Sequence, residues 1–332
     1  MEHIKDELVL KNITLKNRLV LPPMASGNAD ADGKVTEKML HYYDEKSHGG
    51  YLSLVIVEHS FVSEEGRASV GQLSISNDSD IDGLSKLTEV IHKNGSKVVA
   101  QLNHAGGATN KSITGHNSIA PSLGRFANNI NADCEMTKDD IARVIESFTL
   151  AADRAIEAGF DGVEIHSAHS YLLNQFYSPL TNLRQDEYGG GIEGRIKIHL
   201  DIIDGVRSVI GEKHPLLLRL GACDYMEGGS QIDDAVTASK RFEHAGIDIL
   251  DISGGLCGFV VKGRENEQGY FSDVTEVIKQ NIKVPVILTG GIRDIKVADR
   301  LIEAGKADLI GIGRAMYKDS YWAEKALTGY MP

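Results

Sequence analysis

Eight short apolar runs, each separated from the next by room for a helix, constrain this chain more than any other feature. They are Arg18–Leu21, Ser53–Val57, Lys97–Leu102, Gly162–Ile165, Leu216–Leu220, Ile247–Ile252, Val284–Leu288 and Asp308–Ile312. Most lack strict alternation, the pattern of strands buried on both faces of a parallel sheet. The intervening stretches carry helical spacing. Ile141, Val144, Ile145 and Phe148 form one stripe, and Ile196, Ile198, Leu200, Ile203 and Val206 occupy another helical stretch. Thr137 with Asp140 is the Thr-x-x-acid arrangement that caps a helix start, and Gly159 is a left-handed stop, which predicts a helix over Thr137–Ala158. The same Ala-Gly punctuation recurs at Ala158-Gly159, Ala245-Gly246 and Ala304-Gly305, each time just before an apolar run.

These units predict an α/β fold: a (β/α)₈ TIM barrel, with Leu8-Val9-Leu10 and Ile13-Thr14-Leu15 forming a short N-terminal β-hairpin that closes the barrel floor. An open doubly wound sheet could use the same units and stands as the alternative. No Pro/Gly/Ser linker, charge block or low-complexity segment divides the 332 residues, so 1–332 is expected to be a single domain. A net charge of −12 with no basic run disfavours a nucleic-acid surface. No apolar run approaches the ~18 residues of a membrane span, and residues 1–17 lack the apolar segment of a secretory signal. Cys134, Cys223 and Cys257 are too scattered for a disulfide framework or a cysteine metal cluster. A cytoplasmic protein is expected.

Two motifs are decoys. Gly189-Gly190-Gly191-Ile192-Glu193-Gly194 matches the dinucleotide fingerprint but follows Gln185-Asp186-Glu187-Tyr188, which is no buried strand, so it reads as a turn entering a helix. Asn28-Ala29-Asp30-Ala31-Asp32-Gly33 imitates the front of a calcium loop, yet Met39 stands where a bidentate glutamate is required, so a tight turn at Asp32-Gly33 is expected.

The chemistry concentrates in Glu164-Ile165-His166-Ser167-Ala168-His169-Ser170-Tyr171, at the C-terminal end of the fourth strand, where barrel active sites are built. His166 and His169 can offer two donors to one substrate oxygen, polarising a carbonyl or nitro group. Tyr171 is a weak acid suited to protonating a carbanion-like centre. The alternatives are a strand-end cap, or a metal held by Glu164, His166 and His169, for which no further ligands present themselves. After strands seven and eight, Gly290-Gly291 and Gly313-Arg314 can leave backbone N–H groups free to cradle a phosphate, with Arg314 adding charge. Gln101 and Arg219, at or near strand ends, could bind an imide-like ring edge and stabilise negative charge on it. Taken together these describe a pocket for a phosphorylated aromatic cofactor, which FMN fits.

Four segments carry a resemblance: Asn17-Arg18-Leu19-Val20-Leu21-Pro22-Pro23-Met24, Gln101-Leu102-Asn103-His104-Ala105-Gly106, His166-Ser167-Ala168-His169-Ser170-Tyr171-Leu172-Leu173-Asn174-Gln175-Phe176 and Asp186-Glu187-Tyr188-Gly189-Gly190. In order and over essentially the whole chain, they resemble the short bacterial type of the Old Yellow Enzyme family. The resemblance implies non-covalent FMN, NADH or NADPH as reductant, and ping-pong reduction of small-molecule activated alkenes, with no resident metal. It implies that Pro22, Pro23, Met24, Ala25, His59, Gln101, Arg219, Gly313 and Arg314 contact FMN, that His166 and His169 grip the substrate carbonyl, and that Tyr171 supplies the proton. Four departures stand out. Ala25 replaces a Cys or Thr that hydrogen-bonds the flavin. Gly27 replaces a substrate-contacting tyrosine, which predicts a wider pocket unless Phe259 or Tyr270 refills it. His59, beside Glu58, replaces a small residue, and Gly191 and Gly194 replace Ser and Asn. Larger relatives append iron–sulfur and dinucleotide domains, which are not expected here. Two rival functions remain at this level: a metal- or Schiff-base-dependent lyase or aldolase, and a flavin-binding sensor with weak turnover. The physiological alkene, the preferred nicotinamide and any homo-oligomer are not legible.

Overall fold

All eight apolar runs become strands of one closed parallel barrel in the computed structural model, which describes residues 2–126 and 130–329. The strands are β1 (Leu19–Leu21), β2 (Leu54–Phe61), β3 (Lys97–Asn103), β4 (Gly162–Ser167), β5 (Leu216–Cys223), β6 (Ile249–Gly254), β7 (Val286–Thr289) and β8 (Leu309–Gly311). Ile310 of β8 lies opposite Leu19 of β1, which closes the cylinder and removes the free edges an open doubly wound sheet would have. Between the strands run α1 (Glu37–Ser47), α2 (Ile81–Lys93), α3 (Lys138–Glu157), α4 (Lys197–Ile210), α5 (Ile232–Ala245), α6 (Ser272–Lys279) and α7 (Ile295–Glu303), with α8 (Trp322–Thr328) after β8.

The helices form where their caps and stripes say they should. At α3, Thr137 Oγ1 accepts the Asp140 N–H at 3.1 Å while Asp140 Oδ2 accepts the Thr137 N–H at 2.8 Å. Gly159 follows at φ +87°, and Ile141, Val144 and Phe148 turn inward onto the strands. Both decoy motifs are turns. Asp30 Oδ1 accepts the N–H groups of Asp32 and Lys34 around Gly33 (φ +82°), and Gly191 caps the short helix Ile192–Arg195. Among the described residues no helix is long and apolar enough to cross a membrane.

The barrel interior is layered because side chains alternate along each strand. Val20, Leu54, Ile56, Val99, Leu217, Ile249, Ile287 and Leu309 make an apolar plug separate from the outer core. Leu8–Val9 pairs antiparallel with Thr14–Leu15, and this hairpin presses Ile13 and Leu15 against the plug, closing the floor. Two residues further along the strands the interior changes character. Glu58, Gln101, Glu164, Arg219 and Asp251 are all buried there, a polar layer just beneath the C-terminal mouth.

Candidate active site

Above the polar layer opens a cavity of about 1110 Å³. Of the residues singled out from the sequence, Pro22, Pro23, Met24, Ala25, His59, His169, Tyr171, Arg219, Gly290, Gly291, Gly313 and Arg314 line it. Three do not. Gln101 lies below, with its Nε2 donating to Glu164 Oε1 at 2.7 Å. His166 is only 2% exposed, its ring packed against those of the lining residues His169 and Tyr171. Gly27 is left-handed at φ +64°, and a Cβ there would meet no atom within 4 Å. Phe259 and Tyr270 also line the cavity, and the Tyr270 hydroxyl donates to the Phe259 carbonyl at 2.5 Å.

The end of β4 is bent to gather its aromatic rings. His166 is still in the strand, but His169 and Ser170 adopt left-handed φ of 59° and 68°, a conformation that costs a side-chain-bearing residue roughly 1–2 kcal/mol. One local and one long-range bond hold this turn: Ser170 N–H donates to Asn174 Oδ1 at 2.8 Å, and His169 N–H to the carbonyl of Gly254 at the end of β6 at 3.3 Å. The result sets the His166 and His169 ring centroids 5.1 Å apart and the Tyr171 ring 5.4 Å from His166. His169 Nε2 is 2.7 Å from Ser253 Oγ, which leaves Nδ1 for another partner. Burial first, and the positive charge of Arg219 with it, holds both imidazoles well below the usual histidine range, so both are neutral at pH 7. Burial likewise raises the Tyr171 phenol.

A bulge in β2 adds a third imidazole. The pairing of β2 with β3 shifts between Val57 and Ser60, so Glu58 stays inside the barrel while His59 is re-aimed at the cavity. Glu58 accepts from Ser26 N–H at 2.9 Å and from Ser26 Oγ at 2.5 Å, which ties down the segment that follows β1. Burial raises this carboxyl, and the bonds from Ser26 oppose the rise.

Arg219 dominates the electrostatics below the cavity. Its Nε lies 3.4 Å from Asp251 Oδ2, while its Nη1 is buried without a hydrogen-bond partner, as is His166 Nδ1. Burial pushes the Glu164 and Asp251 carboxyls up, against the pull of Arg219. At the far end Gly291 is left-handed at φ +69°, and a Cβ there would lie 2.5 Å from the Glu267 carbonyl. The N–H groups of Gly291, Gly313 and Arg314 have no acceptor among the described residues. Arg314 lies over the Tyr270 ring at 6.0 Å and donates to its hydroxyl at 3.3 Å.

Sequence reasoning missed Asp251, Ser253 and Gln72. A charge inside Ile249-Leu250-Asp251-Ile252 was a readable signal, because a carboxylate between buried aliphatics needs a partner. Gln72 had none, since it reaches His59 only through the loop after β2.

A closed parallel barrel with paired imidazoles, an acid and a buried arginine around one cavity, and free N–H groups after β7 and β8, defines a barrel enzyme suited to an anionic aromatic cofactor. The comparisons give the particular family. Residues 7–331 match the model of the NADH:flavin oxidoreductase / NADH oxidase family. The chain is 36% identical over 323 residues to the "NADH oxidase" of Thermoanaerobacter brockii, covering 96% of this chain and 50% of that protein, so it spans half of that relative's length. It is 37% identical over 319 residues to the "NADPH dehydrogenase" of Clostridium acetobutylicum, covering 96% of this chain and 93% of the relative. Among solved structures it resembles the old yellow enzyme homologue from Zymomonas mobilis, with a TM-score of 0.86, 26% identity, and 99% and 93% of the two chains covered. The chain belongs to this Old Yellow Enzyme family of NAD(P)H:flavin oxidoreductases. Membership sets aside the metal- and Schiff-base-dependent lyase readings.

Proposed function

We propose that residues 1–332 form a single-domain, FMN-dependent reductase of activated C=C bonds, driven by NADH or NADPH in a ping-pong cycle. The observation that carries this reading is the gathering of two neutral imidazoles and the Tyr171 phenol: His169 and Tyr171 line a cavity whose floor carries Arg219, and the His166 ring packs against both. FMN fits the residues present. The unpartnered Arg219 Nη1 suits the electron-rich edge of an isoalloxazine, and the free N–H groups of Gly291, Gly313 and Arg314 suit a phosphate. Pro22–Ala25 would flank the ring, and the Ala25 methyl offers it no hydrogen bond.

Bound FMN would supply hydride, acquired from the nicotinamide and passed to the substrate β-carbon. His166 and His169 bind the carbonyl or nitro oxygen of the alkene and draw charge toward it, with Ser253 fixing the His169 ring. Tyr171 then gives its proton to the α-carbon. Substrate selectivity at the mouth falls to Phe259, whose ring centroid is 6.2 Å from that of His169, together with the space left at Gly27. Stopped flow tests the assignment. Tyr171→Phe should slow substrate reduction at least a hundredfold while changing flavin reduction by nicotinamide little, since positioned acids contribute about 10²–10⁴-fold. Equal slowing of both half-reactions would remove Tyr171 from the proton-donor role.

A further inference from the structure

The third imidazole, His59, has a ring whose protonation is decided by its neighbours. Gln72 Oε1 accepts the Ala68 N–H at 2.6 Å, which fixes the amide orientation. Gln72 Nε2 therefore faces His59, 2.7 Å from Nδ1 and 3.2 Å from the His59 carbonyl. An amide nitrogen can only donate, so Nδ1 accepts and the proton of the neutral ring sits on Nε2. That Nε2 is 3.4 Å from Tyr171 Oη. The ring stacks on His166 at 6.3 Å and 10° and meets the Tyr171 ring at 63°. Burial holds the His59 pKa down at about 4, so the ring is neutral at physiological pH and Nε2 is the donor.

We propose that His59 is a positioning residue for Tyr171: its Nε2–H donates to Tyr171 Oη, directs the phenol's own proton toward the substrate, and stabilises the phenolate left behind. The inference rests on the reading of Tyr171 as the proton donor and deepens it. In the transfer the Tyr171 O–H bond breaks, its electron pair stays on oxygen, and a C–H bond forms at the substrate α-carbon. Solvent water then returns a proton to the phenolate. His59 keeps its proton throughout and is neither oxidised nor reduced. A hydrogen bond to a charged acceptor is stronger than one to a neutral acceptor, so the contact favours the state after transfer over the state before it. Gln72 serves the same end at one remove, by selecting the tautomer.

Two measurements on the flavin-loaded protein test this. In ¹⁵N spectra of histidine-labelled enzyme at pH 7, with His59 assigned by the signals lost in His59→Phe, Nδ1 should be of the unprotonated type and Nε2 of the protonated type. The reverse tautomer overturns the proposal. In stopped flow, His59→Phe should lower the ratio of substrate reduction to flavin reduction about tenfold in the otherwise wild-type enzyme. It should leave that ratio unchanged in the Tyr171→Phe background, and His59→Gln, which keeps a donor, should recover part of the loss. Equal lowering in both backgrounds overturns the proposal alone. If Tyr171→Phe itself reduces substrate as fast as wild type, the proton-donor reading falls first and takes the proposal with it.

Discussion

Arg219 joins the buried layer to the cavity above it. Glu164 and Asp251 both sit at zero exposure, and a carboxylate in such a place needs either a cation or a proton. Arg219 pairs with Asp251 through Nε while its Nη1 has no hydrogen-bond partner, and the residue lines the cavity where an electron-rich ring would lie. Arg219→Met should therefore raise the FMN dissociation constant at least tenfold, read from the recovery of free-flavin fluorescence on dilution, with circular dichroism confirming the fold. Unchanged retention of flavin would show that Arg219 serves only the buried carboxylates. At this scale legibility depended on sequence distance. His166, His169 and Tyr171 fall within six consecutive residues, so one strand end disclosed them together. Gln72 and Ser253 act through contacts made by other loops and strands, and no local pattern marks them.

Elements were more readable than contacts, because periodicity is a property of the chain and a bulge is a property of pairing. The interior strands and α3 follow from apolar spacing and from the Thr137–Asp140 cap. The expected end of the second strand at Val57 falls short by four residues. Glu58-His59-Ser60 looks like a polar loop, yet it stays in the ladder through the shift between Val57 and Ser60. That irregular piece is the one that delivers His59. Thr137→Ala should cost about 1 kcal/mol in urea unfolding with no change in flavin content, since it removes both bonds that the Thr137 hydroxyl shares with Asp140. A loss near zero would mean that packing of the α3 apolar face fixes the helix start without the cap. At the floor, Leu15→Ala should cost about 2–5 kcal/mol, because Leu15 is fully buried against the plug. A loss below ~1 kcal/mol in the same assay would show that the hairpin is dispensable to the barrel.

For the whole molecule, buried histidines set the response to acid. His59, His104 and His199 are held neutral by burial, with pKa values of about 4, 3 and 3 against 6.5 in an unfolded chain. Between pH 6.5 and about 4 the unfolded chain binds protons there that the folded protein refuses, so the stability these groups contribute is present above pH 6.5 and lost as pH falls. Glu164 and Asp251 act in the opposite sense, because their raised folded values let the folded state take up protons first. The depressed histidines, with His166 and His169 among them, outnumber the raised carboxyls. Calorimetry at saturating FMN should show Tm falling from pH 7 to pH 5, and a rising Tm would mean that the carboxyls prevail. The central claim is that this cavity holds FMN and passes electrons from a nicotinamide to an activated alkene, and one anaerobic titration addresses it. The purified protein should absorb near ~450 nm, release FMN on denaturation, bleach with NADH or NADPH, and recover its colour when cyclohexenone is added without oxygen. A protein that bleaches but stays colourless with cyclohexenone and other enones or nitroalkenes, or one that releases no FMN, contradicts the account.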